Sequence, residues 1–313
     1  MPFITKTLHS STPKSAIELL MDALNISRSD AQRFIVRGRL SQNGVINDDE
    51  FAVIEGNVDV ICFIPEPRGL TPVYTSDDFA VFDKPSGLRV HPNNLETVYT
   101  LHDEIKHLFG HDANAAHRID QETSGLVLVS RHKQSEPVLK ELFSHRGITK
   151  RYFAMVHGCL NEAIDIQEPI LRNRFPVQKI NMVVKIDPAG KEARTFINPI
   201  RYFPDVNMTL VEATPLTGRS HQIRIHLFHV KHPIVGDPLY GQRIDAIHRY
   251  MNKELSKEER RKKSGAERLL LHAHSLEFRY KEHSYIIESQ VDFIAECFKA
   301  MGKVIPDQST PLM

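Results

Sequence analysis

Residues 117–131 read HRIDQETSGLVLVSR. An acid, Asp120, stands before a polar turn, Gln121 to Gly125, and the turn runs into an apolar strand over Leu126–Ser130. A carboxylate at the mouth of a sheet, flanked by His117 and Arg118, is a candidate nucleophile or base. Most acids in such places only cap turns, so the stretch needs support from elsewhere in the chain. Outward from it, Phe79–Phe82, Tyr152–Val156 and Met208–Ala213 also read as strands, whereas Ser135–Phe143, Ser220–Val230 and Phe293–Met301 carry helical patterns. The mixture predicts an α+β catalytic domain with a mixed, largely antiparallel sheet.

Support comes from TPLTGRSHQIRIHLFHVKHPIVGDPLYG, residues 214–241. Ser220 is placed to cap a helix whose apolar stripe is Ile223, Leu227 and Val230, and Arg224 lies at the edge of that stripe. A cation there is costly unless a carboxylate meets it, and Asp120 is the most attractive partner. His221, His226, His229 and His232 invite a metal reading. No acid-bearing ligand spacing accompanies them, so hydrogen-bonded or surface histidines are expected and a metal is not.

The first 65 residues form a unit of their own. A helix opens at Ser15 with apolar Ala16, Leu19, Leu20 and Ala23. A second starts at Ser27, with Asp30 in the capping position, and turns Ala31, Phe34 and Ile35 inward before a stop at Gly38. Asn43-Gly44 marks a hairpin, and a β-rich run over 58–63 closes the unit. Arg28, Arg33, Arg37 and Arg39 give this stretch a local surplus of positive charge, with Arg33 and Arg37 on one helix face. Such a face suits the phosphates of folded RNA. Proline-rich residues 65–72 read as a linker, which gives domains at 1–65 and 73–313 joined through 66–72. Within the second, residues 249–268 hold eight Lys/Arg and four Asp/Glu, the pattern of an exposed helix or mobile insertion, or else of a nucleic-acid contact.

The whole chain has 313 residues and is nearly neutral, with 40 Lys+Arg against 39 Asp+Glu, so any basic surface must be local. Its 41% hydrophobic content excludes wholesale disorder. Cys62, Cys159 and Cys297 have neither a metal spacing nor an even disulfide count and read as reduced thiols. With no signal-like start and no long apolar run, a cytoplasmic protein without membrane contact is expected.

Together these motifs resemble the RluA-type family of RNA pseudouridine synthases over residues 73–300. FAVFDKPSGLRVHP (79–92) is similar to the family's first motif around Lys84 and Pro85, and HRIDQETSG to the motif with the catalytic aspartate. TKRYFAMVHG (149–158) supplies a tyrosine, Tyr152, and GRSHQIRIHL (218–227) an arginine, Arg224. GKEARTFI (190–197) and LLLHAHSLEF (269–278) match weaker motifs, and Ile119 and Arg89 stand where leucine is common. SRSDAQRFIVRGRLSQNG (27–44) resembles a small RNA-binding module first described in a small-subunit ribosomal protein.

The resemblance implies a pseudouridine synthase fold and an isomerase that needs no cofactor or metal. A uridine leaves its stack, its glycosidic bond breaks, and the base is rejoined through C5. Asp120 then acts as nucleophile or base, and Tyr152 stacks on the flipped base above Ile223. Arg118 fills the vacated space, Lys84 and His117 complete the substrate site, and Arg224 keeps Asp120 ionised. Ribosomal RNA is favoured as partner over transfer RNA, and a monomer is expected. Two other readings remain open from the residues themselves: an RNA-binding protein without catalysis, and a hydrolase, which needs a second carboxylate such as Glu122.

Overall fold

A computed structural model describes residues 2–172 and 183–305. They form two compact units, one built from the chain up to Arg68 with His91–His107, the other from Gly69–Val90 and the chain from Leu108 onward.

In the first unit, strand β1 (Phe3–Ser15) leads into helices α1 (Ala16–Leu24) and α2 (Arg28–Val36), followed by β2 (Leu40–Gln42), β3 (Val45–Ile46) and β4 (Val53–Phe63). The strands order as β1-β4-β2-β3. Ser15 caps α1 in a reciprocal box with Glu18, and Ser27 caps α2 by accepting from the Asp30 N–H. Asn43 and Gly44, with φ of 50° and 78°, make the tight hairpin turn. Ile17, Leu19, Leu20, Ala31, Ile35 and strand residues such as Val60 form the core, with Phe34 partly buried against it. Ala23, expected inside, is exposed, because Ile17 takes the inward place on this short helix. Helix α3 (Leu101–Phe109) begins in this unit's second segment. The buried carboxylates of Asp103 and Glu104 accept from the backbone N–H groups of Glu66 and Arg68, so this part of the expected linker is fastened by hydrogen bonds.

The second unit contains β5 (Pro72–Thr75), β6 (Phe79–Lys84), β7 (Asn114–Ala115), β8 (Ser124–Ser130), helix α4 (Ser135–Ser144), and β9 (Ile148–His157). Then come β10 (Ile164–Ile166), β11 (Ile170–Arg172), β12 (Val184–Ile186), β13 (Thr195–Phe203), β14 (Met208–Pro215) and helix α5 (Gln222–His229). Helices α6 (Ile244–Met251) and α7 (Lys257–Ser264), strands β15 (Leu271–Tyr280) and β16 (His283–Glu288), and α8 (Phe293–Met301) complete it. The main sheet runs β10-β13-β14-β9-β15-β8-β6-β5. Among the described residues its one parallel pairing sets β15 on β8, with His272 opposite Ser124 and Ala273 opposite Gly125. Gly125, at φ 109°, allows that approach, since a Cβ there would overlap the Ala273 backbone. One core lies where α5 and α8 meet β9 and β14, and another lies around Phe79, Leu126, Leu128 and Leu276.

Helix α5 departs from the sequence expectation. It starts at Gln222 after a left-handed His221, and no side chain caps it, Ser220 included. Arg224 is fully buried, not at a boundary, and Gln222 through Leu227 are all buried. Among the described residues no helix is long and apolar enough to cross a membrane.

Candidate active site

Asp120 sits four residues ahead of β8, on the turn whose position the β8–β15 pairing fixes. Lys84, the last residue of β6, lies under this turn with no exposed surface. Its ammonium donates to the backbone carbonyls of Pro85, Leu88, Gln121 and Thr123, at 3.0, 2.8, 3.3 and 2.6 Å. Burial pulls its pKa down to about 7, opposed by the charges of Asp120, Glu122 and Asp83. Lys84 was expected to contact substrate. The structure instead makes it a prop for the catalytic turn, because its donors are spent on carbonyls inside the protein.

Above the turn opens a cleft of about 710 Å3, lined among others by Arg118, Asp120, Lys150, Tyr152, His221, Ile223 and Arg224. That volume falls within the roughly 300–1,000 Å3 typical of ligand sites. Strand β9 delivers Tyr152, whose phenol is pushed well above its ordinary pKa by burial and by the charge of Asp120, and so stays protonated. Ile223 is buried at the wall, and Arg118 is exposed on the rim. His117 also lines the cleft, yet its Nε2 accepts from the Leu128 N–H at 3.0 Å and its ring stacks on Phe143 at 4.2 Å. Burial, with Lys150 nearby, lowers its pKa to about 3. It therefore serves strand β8, and only its other ring nitrogen is left for a ligand.

Arg224 does meet a carboxylate, but Asp120 is the lesser of two. The guanidinium Nε and Nη2 donate to the two oxygens of Asp237 at 2.7 and 2.8 Å, while Nη1 lies 3.5 Å from Asp120 Oδ2. The Asp237 side chain is 1% exposed and that of Asp120 27%. Asp237 is held in turn by the backbone N–H groups of Leu239 and Tyr240, and the Tyr240 ring lies under the guanidinium at 5.2 Å. The buried anion binds the arginine, the arginine presents its remaining edge to the cleft, and Asp120 is left accessible beside a fixed positive charge. Asp237 was missed in the sequence; the tight-turn string Gly236-Asp237-Pro238 was the available signal.

Glu122, two residues beyond Asp120, points away from the cleft. It accepts from Tyr250 Oη and Arg260 Nη2, each at 2.7 Å. A hydrolase reading that needs a second carboxylate beside Asp120 therefore finds no support there. Three of the four histidines of α5 and its flanks, His221, His226 and His232, have hydrogen-bond partners in the protein, and His229 is exposed. His226 bridges Thr195 Oγ1 at 2.8 Å and the Glu168 carbonyl at 3.0 Å, and His232 Nδ1 lies 2.9 Å from the His157 carbonyl oxygen. Among the described residues no group of three or more His, Cys, Asp or Glu is placed to hold a metal ion.

In the N-terminal unit the four arginines differ in their surroundings. Arg33 pairs with Asp30 at 3.0 Å, and Arg28 lies 3.8 Å from Glu50. Arg39 is half-buried over the rings of Phe3 and Phe34, while Arg37 is exposed at the end of α2.

The chain is similar to known proteins over most of its length. Residues 78–229 match the family model described as RNA pseudouridylate synthase. An RNA pseudouridine synthase of Helicobacter pylori is 38% identical over 290 residues, which is 92% of this chain and 96% of that protein. The ribosomal large subunit pseudouridine synthase C of Buchnera aphidicola is 32% identical over 232 residues, 71% of this chain and 67% of the other. The solved structure of human RNA pseudouridylate synthase domain containing 1 shares the fold, with a TM-score of 0.57 at 24% identity, over 74% of this chain and 89% of that one. On these comparisons the chain, whose cleft gathers a carboxylate beside a buried guanidinium, a tyrosine and an apolar wall, belongs to the RNA pseudouridine synthases of the RluA type.

Proposed function

We propose that Asp120 is the residue that opens the isomerisation, acting as nucleophile or base on the ribose of a uridine flipped into the cleft. The observation that carries this reading is its combination of access and charge: an open carboxylate 3.5 Å from a guanidinium that is itself bound to a buried acid. Arg224 sets a fixed positive charge beside Asp120. Tyr152 stacks on the base, Ile223 supports it, and Arg118 on the rim takes the place the base vacates. The RNA acted on is large-subunit ribosomal RNA, a reading supported by the name of the Buchnera relative and by the arginine-bearing N-terminal unit. That unit, residues 1–65 in this reading, adds affinity through Arg28, Arg33, Arg37 and Arg39. The enzyme works as a cytoplasmic monomer without a metal.

The test is Asp120→Asn, which keeps the shape but can neither attack nor take a proton. Tritium release from RNA labelled at uridine C5 should fall by more than about a thousandfold while RNA binding persists. Activity within tenfold of the unaltered enzyme would refute the assignment. Pseudouridine mapping across total RNA of cells lacking the protein identifies the target, and a lost site in transfer RNA would overturn the ribosomal reading.

A further inference from the structure

His221 occupies an unusual position in the cleft wall. Its backbone is left-handed, with φ 53° and ψ 21°, on the residue that opens α5. Non-glycine residues in this region are uncommon, and such conformations persist where the surroundings over-determine them. The side chain that His221 presents is held by Tyr240. The Val184 N–H donates to the Tyr240 oxygen at 3.1 Å, and we assign the phenol's own hydrogen to His221 Nδ1, 3.0 Å away. A ring nitrogen that accepts this hydrogen carries none itself, so the proton of the neutral imidazole is on Nε2. Burial, with Arg224 beside it, keeps the ring neutral by lowering its pKa. The side chain is 11% exposed, and Nε2 stands 3.9 Å from Asp120 Oδ2, too far for a hydrogen bond and on the cleft side.

The chemistry gives such a donor a task. The argument rests on Asp120 opening the reaction. If Asp120 attacks, an oxygen–C1′ bond forms as the C1′–N1 bond breaks. If it acts as base, it takes a ribose proton as that bond breaks. In both cases the bonding pair stays on the base: one negative charge leaves Asp120 and one arrives on uracil, spread over N1, O2 and O4, with no external proton consumed. We propose that His221 is a further catalytic residue, whose Nε2–H donates a hydrogen bond to a carbonyl oxygen of the detached uracil. Tyr240 is its positioning residue. Arg224 is less suited to this task, being fixed by Asp237 and Asp120. A neutral donor at the developing charge strengthens as the bond breaks, and one such donor is worth roughly 10²–10³ in kcat. Loss of the C5 proton is a later step in which this hydrogen bond takes no part.

The test uses the full chain and total RNA labelled with [5-3H]uracil in cells lacking the protein, so that every target is present. His221→Gly suits the left-handed backbone and leaves room for a small molecule. It should lower kcat about a hundredfold with apparent KM changed less than about threefold. Added imidazole should restore much of the rate, whereas 1-methylimidazole, which fills the same space and can accept a proton but has no N–H, should not. Tyr240→Phe, a milder change that keeps the ring, should lower kcat about tenfold by freeing the tautomer. His221→Gly activity within twofold of the parent, or equal rescue by both compounds, would overturn the proposal. An Asp120→Asn sample in the same assay separates the two readings: activity there removes Asp120 from its role, whereas the rescue pattern speaks to His221 alone.

Discussion

Arg224 is gripped by two carboxylates that do different work. Asp237 is buried and doubly bonded to it, and Asp120 is open and more distant. Removing one partner of a buried pair costs about 3–5 kcal/mol, because the other charge is left uncompensated. Asp237→Asn should therefore lower the melting temperature by roughly 10 °C. Asp120→Asn should cost no more than about 1 kcal/mol, as expected for a partly exposed pair. Differential scanning calorimetry of the two variants decides the matter, and equal shifts would mean that the two acids share the arginine. The sequence made the need for a carboxylate legible, since a cation beside an apolar stripe requires one. It did not show which carboxylate, because the Asp237 contact depends on the path of the turn after α5. Lys84 was misplaced for a related reason: a motif lysine reads as a ligand until its ammonium is seen to be enclosed by four carbonyls.

Helix α7 shows how a charge run changes meaning once folded. Ser256 and Glu259 cap it, and the cations of the run pair locally: Arg249 of α6 with Glu259 at 2.7 Å, Arg261 with Glu267 at 3.1 Å, Lys262 with Glu258 at 2.9 Å. Arg260 differs, reaching the inward-facing Glu122 beside the catalytic turn. Arg260→Met should cost about 2–3 kcal/mol and quicken amide exchange over residues 117–125, whereas Lys262→Met should stay within about 0.5 kcal/mol. If exchange in the turn is unchanged, α7 does not brace it. Local charge statistics hide this distinction, because the partner lies more than a hundred residues away. Strand β1 was overlooked for the opposite reason: along thirteen residues only Ser10 is fully buried, so no alternating apolar signal exists. In α2, by contrast, caps and core positions were readable because they are local. There Arg33→Ala with Arg37→Ala should reduce the salt slope of RNA affinity by about one to two, and an unchanged slope would make this face mere solvated surface.

Across the whole molecule, buried neutral histidines set the response to acid. Burial lowers the pKa of His157, His221 and His226, and takes His117 and His272 to about 3 from 6.5. The unfolded chain binds protons at these sites below pH 6.5 and the native state does not. Their contribution to stability is therefore full above about 6.5 and is lost as pH falls toward 3. For His272, 1% exposed, the loss is roughly 1.4 kcal/mol per pH unit. Melting temperature should drop steeply between pH 6.5 and 4, and His272→Gln should flatten the slope. A flat profile in the parent protein would show that these rings are protonated when folded. The α+β class and most elements of the second unit were legible from period and turn chemistry. The strand order was not, because pairings such as His272 with Ser124 join distant segments and leave no local trace.

That order has a consequence for how the enzyme is made. Asp120 belongs to the β8 side of the sheet, while Tyr152 on β9 and Arg224 on α5 belong to the other, and β15 lies between β8 and β9. It is synthesised after all three, starting at Leu271. At about 5–20 residues per second, roughly 8–30 s pass between the emergence of Asp120 and that of β15. By the end of that interval the nascent chain holds Asp120, Tyr152 and Arg224 but not the strand that joins them, and the edges of β8 and β9 wait for the same strand. The cleft can therefore close only after a strand that is made later than every residue it brings together.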